Sequence, residues 1–79
     1  MVECQQISPN FTTVETNNVR YWFSYKTCIA YQPLDGSPRV VRRNNWGPTT
    51  GKHLNYIDGG DKASRLDGDD FEARLKLLS

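Results

Sequence analysis

The chain changes its apolar periodicity at one place, and that change limits what it can fold into. Up to Trp46 the apolar residues recur at the spacing of strands; beyond Thr50 they recur at the spacing of helices. The switch falls in Trp46-Gly47-Pro48-Thr49-Thr50-Gly51-Lys52-His53-Leu54-Asn55-Tyr56-Ile57, which also carries the only histidine. Trp46 is expected to end a strand, Gly47-Pro48 to break it, and Thr49 or Thr50 to cap a short helix. Leu54 and Ile57 would share the face that packs on the sheet, and Gly59-Gly60 would end the helix, because glycine takes the left-handed conformation cheaply.

Gly47-x-x-x-Gly51-Lys52 superficially matches a phosphate-binding loop. That loop needs one more residue between its glycines and a Ser or Thr after the lysine, where His53 stands. The register and the magnesium ligand are both wrong. The helix start is still a place where an anion could sit, on free N–H groups beside Thr50, Lys52 and His53. Cations in a first turn oppose the helix dipole, which leaves room for a ligand there.

The earlier part reads as strands over 2–7, 11–15 and 19–32, separated by Ser8-Pro9-Asn10 and Thr16-Asn17-Asn18. The run 19–32 is long for one strand, so a break is expected near 24–27. Alternation puts Val19, Tyr21, Phe23 and Tyr25 on one face and Arg20, Trp22, Ser24 and Lys26 on the other. Pro33-Leu34-Asp35-Gly36-Ser37-Pro38 is a hairpin loop, with Asp-Gly as its turn signal. A strand over 39–44 begins apolar on both faces and ends polar, which places it near a sheet edge or buries only its start. Residues 63–66 could add a short strand.

Asp67 or Asp69 caps a final helix whose early acids Asp70 and Glu72 suit the dipole. Phe71, Leu75 and Leu78 form its buried stripe, widened by Ala73 and Leu77. Asp67-Gly68-Asp69-Asp70 lacks the spacing of a calcium loop, so no metal is expected. The fold class is therefore α+β: one domain over 1–79, a small antiparallel sheet of four to five strands, and two short helices, about 50–58 and 69–78, packed on one face. Phe23, Ile29, Leu54, Ile57, Phe71 and Leu75 should form one core cluster, with Trp22 left on the open sheet face.

The stretch Tyr21-Trp22-Phe23-Ser24-Tyr25-Lys26-Thr27-Cys28-Ile29-Ala30-Tyr31 and the stretch from Trp46 to Asn55 together resemble a family of small uncharacterised proteins encoded by phages and some prokaryotes. That family shares a "YFSY-x-T-x-IAY" strand pair, a short basic strand, "W-x-x-TTGKHLN" and a final acid-capped helix. The resemblance runs from about Tyr21 to Leu78. It implies a common origin and fold, and assigns no catalytic residue and no activity.

No run of apolar residues is long enough for a membrane helix, and Met1-Val2-Glu3-Cys4-Gln5-Gln6 has neither the basic start nor the apolar core of a signal peptide. A cytoplasmic setting is expected, that of the host if the chain is phage-encoded. There Cys4 and Cys28 would be reduced and half-buried in the core, with an inter-strand disulfide as the alternative. With one histidine and no nucleophile–base spacing, no catalysis and no cofactor are expected.

The net charge is +1, but it is unevenly spread. From Arg20 to Lys52 the charges are Arg20, Lys26, Arg39, Arg42, Arg43 and Lys52 against Asp35 alone; from Asp58 to Glu72 the acids predominate. The expected role is a non-enzymatic binding protein that engages a host or phage protein through Arg20, Trp22, Lys26, Arg42 and Arg43. The alternative is a weak nucleic-acid-binding module in which Trp22 stacks on bases among those cations. The oligomeric state stays open.

Overall fold

A computed structural model describes residues 3–44 and 46–78. Strands β1 (Glu3–Ser8), β2 (Phe11–Glu15), β3 (Val19–Ser24), β4 (Thr27–Pro33) and β5 (Val40–Val41) are followed by helix α1 (Pro48–Asp58), a 3-10 turn at Lys62–Ser64 and helix α2 (Gly68–Lys76). The strands form one antiparallel sheet in the order β1-β2-β3-β4-β5, so the fold is α+β, as expected. The long strand-like run does break, at the two-residue turn Tyr25–Lys26.

Several boundaries differ from those read in the sequence. The strand expected over 39–44 is only Val40–Val41, and Trp46 ends no strand. Arg42 still donates its N–H to Ile29 O of β4 at 2.9 Å, and on its other side it makes an isolated parallel bridge with Leu66, which is all that forms of the strand expected at 63–66. Helix α1 begins at Pro48 with Gly47 as its N-cap, and neither Thr49 nor Thr50 caps it. Proline at a first helical position has φ already set, so the helix can start without a side-chain cap. Asp67, by contrast, caps α2: its Oδ1 accepts from the Asp70 N–H at 2.9 Å.

The larger correction concerns the helices, which lie on opposite faces of the sheet. Cross-strand partners share a face. Thr13, Trp22, Ala30 and Val41 stand opposite one another, and Trp22, Ala30 and Val41 pack with Leu54 and Ile57 of α1. Val14, Tyr21, Tyr31 and Val40 form the opposite row, where Tyr31 and Val19 pack with Phe71 of α2. The expected single core is thus two clusters separated by the sheet: Ile29, Leu54 and Ile57 in one, Phe71 and Leu75 in the other. The physical reason lies in β3, which carries large aromatic side chains on both faces, so both faces need cover. Ala73 and Leu77, expected to widen the α2 stripe, are exposed.

A bulge in β4 assists the α1 side. Trp22 pairs with Ala30 while Phe23 pairs with Cys28, so Ile29 is an extra residue in its strand. Ile29 and Ala30 both enter the α1 cluster and are fully buried. Helix α2 covers its own face only in part. Beside it, Val14, Tyr21, Phe23, Cys28, Leu75 and Lys76 line an open groove of about 470 Å³.

Candidate functional site

The two stretches that carry the family resemblance meet at one end of the sheet. β3 delivers Ser24 to the α1 side, and the first turns of α1 deliver Thr50 and His53. Ser24 Oγ lies 2.8 Å from His53 Nδ1 and 3.0 Å from Thr50 Oγ1, and all three side chains are buried. The imidazole stacks on Phe11, ring centroids 4.5 Å apart and planes 6° from parallel. Burial holds the His53 pKa below the ordinary imidazole range, so the ring is neutral at pH 7. A neutral ring accepting at Nδ1 from Ser24, which accepts from Thr50, satisfies this chain of polar groups.

The cluster therefore fixes helix to sheet. It also removes Thr50 and His53 from the helix-start anion site expected for Thr50, Lys52 and His53. Thr50, His53, Leu54 and Ile57 share the face turned to the sheet, whereas Lys52 points to solvent. The three do not converge on a ligand.

The five residues expected at a partner face do not converge either. Trp22 is only 7% exposed and belongs to the α1 core, so it is not an open-face aromatic. Arg20, at the far end of β3, pairs with Glu15 at 2.6 Å. Lys26 sits in the β3–β4 turn and is exposed. Arg42 Nη1 binds Glu72 Oε1 at 2.7 Å, and its guanidinium lies 4.8 Å from the centroid of the Trp46 ring. Arg43 faces a different cleft, with Asn44 and Lys62.

What the structure does assemble is a hollow of about 210 Å³ next to the buried cluster. Ser24, Tyr25, Thr27, Ile29, Trp46 and Thr50 line it. Two of these are exposed aromatics, Tyr25 at 56% and Trp46 at 43%. Each is held in place. Tyr25 takes the left-handed conformation, φ +57°, and its N–H donates to Asn10 O at 2.7 Å. A bulky side chain in that region costs on the order of 1 kcal/mol, and such strain gathers at functional positions. The Trp46 N–H donates to Asn44 Oδ1 at 2.8 Å, while Arg42 lies against its ring. Arg42 is itself seated over Gly68, where a Cβ would stand 2.6 Å from Nη2.

Sequence reasoning missed Tyr25 and Trp46 as site residues. The signals were a tyrosine where a hairpin turn prefers Asn or Gly, and a tryptophan just before Gly-Pro, where no strand needs it. The cysteines also differ from expectation. Both are free, but Cys4 is exposed on β1, and only Cys28 is half-buried. They lie three strands apart in the sheet order, about 14 Å, too far for the alternative disulfide. Burial pushes the Cys28 thiol up to about 11.

Among the described residues no helix is long and apolar enough to cross a membrane. No curated protein and no solved structure matches the chain. A family model does, over residues 2–73. That match takes in nearly the whole domain, both the sheet with its Tyr25 turn and the α1 segment that meets it, and the chain belongs to this family of unknown function, DUF8033.

Proposed function

We propose that the chain is a small non-enzymatic binding protein that engages a protein partner through the Tyr25–Trp46 hollow. The observation that carries this reading is the pair of exposed aromatics braced on either side of an apolar-floored hollow. Aromatic side chains offer large contact area with few rotatable bonds, and next to Arg they are frequent anchors at interfaces. The exposed rings of Tyr25 and Trp46 suit an apolar side chain of the partner, and Lys26, next to Tyr25 in the turn, suits an acidic residue flanking it. The resemblance to phage-encoded chains makes a host or phage protein, met in the cytoplasm, the expected partner. His53 supports the non-enzymatic reading: its Nδ1 is engaged by Ser24, and its ring is stacked on Phe11.

Burial of Trp22 counts against the alternative of nucleic-acid binding on the basic sheet face, which loses its stacking aromatic. A salt titration separates the two readings, since nucleic-acid affinity falls steeply with salt.

The reading is tested by photo-crosslinking in cells with a benzoylphenylalanine at position 25 or 46, and with the same group at Leu34 as control. Leu34 is exposed at the opposite end of the sheet, where its N–H bonds Asn18 O. One defined protein adduct is expected from positions 25 and 46 and none from 34. Equal crosslinking from all three positions, or adducts from 34 alone, would remove the hollow from consideration.

A further inference from the structure

We propose that a second cleft binds a phosphate dianion. It measures about 430 Å³ and lies between the segment after β5, helix α1 and the 3-10 turn. Its lining is Arg43, Asn44, Gly51, Asn55, Lys62 and Arg65. The inference does not depend on the Tyr25–Trp46 reading.

The first argument is charge. Arg43, Lys62 and Arg65 bring three cations to the lining, and one carboxylate, Asp58, is bound into it. Arg65 Nε donates to Asp58 Oδ2 at 2.7 Å and Nη2 to Asp58 Oδ1 at 2.9 Å. Both side chains of that pair are buried, so Asp58 is committed to Arg65 and does not neutralise the others. Among the described residues neither the Arg43 nor the Lys62 side chain has an ion-pair partner. Further out, Asp61 acts on Arg65 and Arg39 acts on Asp58, one charge of each sign. The cleft is left with an excess of two positive charges, which matches a phosphate monoester at neutral pH, about −1.5 to −2.

The second argument is the kind of polar group. Asn55 Oδ1 accepts from Arg65 Nη2 at 3.1 Å, which leaves the donor end of that amide for a ligand. Asn44 Oδ1 likewise accepts from the Trp46 N–H, and among the described residues its Nδ2 makes a long contact, 3.4 Å, with Gly47 O. The side chains thus offer donors, while their acceptors are already engaged. That selects an anion over a metal ion or a sugar. Gly51 lets helix and loop close on each other: a Cβ there would stand 3.2 Å from Asn44 Nδ2.

The test is a nuclear magnetic resonance titration of the whole chain at constant ionic strength. It uses inorganic phosphate and adenosine 5′-monophosphate, with chloride as reference. Saturable shifts are expected at Arg43, Asn44, Gly51 and Lys62, with Tyr25 unmoved. Arg43→Gln and Lys62→Gln, both at exposed positions, should keep the melting temperature and each weaken binding about tenfold, the scale of a lost charged hydrogen bond. Equal affinity for the two ligands identifies the free anion as the source, and tighter binding of the nucleotide identifies an ester phosphate. No saturable shift, the same shifts with chloride, or unchanged affinity in both variants would overturn the proposal.

Discussion

The two faces of the sheet are finished in different ways. On the α1 face the packing is closed. Trp22, Ile29, Ala30 and Leu54 are buried, and the Ser24–Thr50–His53 cluster locks the helix at one end, while the Arg65–Asp58–Asn55 cluster holds the other. On the α2 face the helix sits over Val19 and Tyr31 but leaves Val14, Tyr21 and Phe23 along a groove. One polar link between it and the rest of the chain is the ion pair Arg42–Glu72, whose carboxylate is half exposed. The difference teaches that apolar area alone does not position a helix here. Directional polar contacts at both ends decide how fully a face is sealed, because a buried polar group left without its partner costs more than a missing apolar contact at a rim.

The sharpest way to break this comparison is to remove the anchor of each side. Leu54 and Phe71 are both fully buried, one beneath each helix. Leu54→Ala should cost about 2–5 kcal/mol and Phe71→Ala about 3–5 kcal/mol in denaturant melts. Losses of that size threaten a domain of 79 residues. If Phe71→Ala melts like the parent, α2 is not a structural half of this fold.

The next effect belongs to the buried cluster. Ser24→Ala strands the Thr50 hydroxyl and His53 Nδ1, and should cost about 1–3 kcal/mol. The same cluster sets a pH dependence. The His53 pKa is lowered in the folded state, so the unfolded chain binds the proton more readily and stability falls as pH drops below about 6.5. Asp58 is held below its ordinary range by Arg65, and its contribution is lost only at lower pH, below about 4. Melts of His53→Gln should lack the upper step and keep the lower one. A parent whose stability is flat between pH 7 and 5 would show that the ring is not held neutral.

The smallest effect is expected on the open groove. Phe23 is half-buried, so Phe23→Ser should destabilise by less than Phe71→Ala, about 1–2 kcal/mol. A loss equal to that of Phe71→Ala would mean that the groove is closed in solution and the contrast between the faces is wrong.

Much of the fold was legible in the chain order. Alternation from Val19 to Ser24, the Asp35-Gly36 turn, the helix end at Gly59 and an aspartate cap on the last helix are local properties, set by side-chain periodicity and backbone preference, and each is found as read. The α+β class follows from them. Only the tertiary structure decided which face each helix covers. A strand with aromatic residues on both sides states that both faces need cover, yet not by what. That choice put Trp22 in the core and brought Tyr25 and Trp46, residues twenty-one positions apart, to the rim of one hollow. Hydrogen bonds such as Ser24 to His53 join distant segments, and no local pattern in the sequence encodes such a pairing.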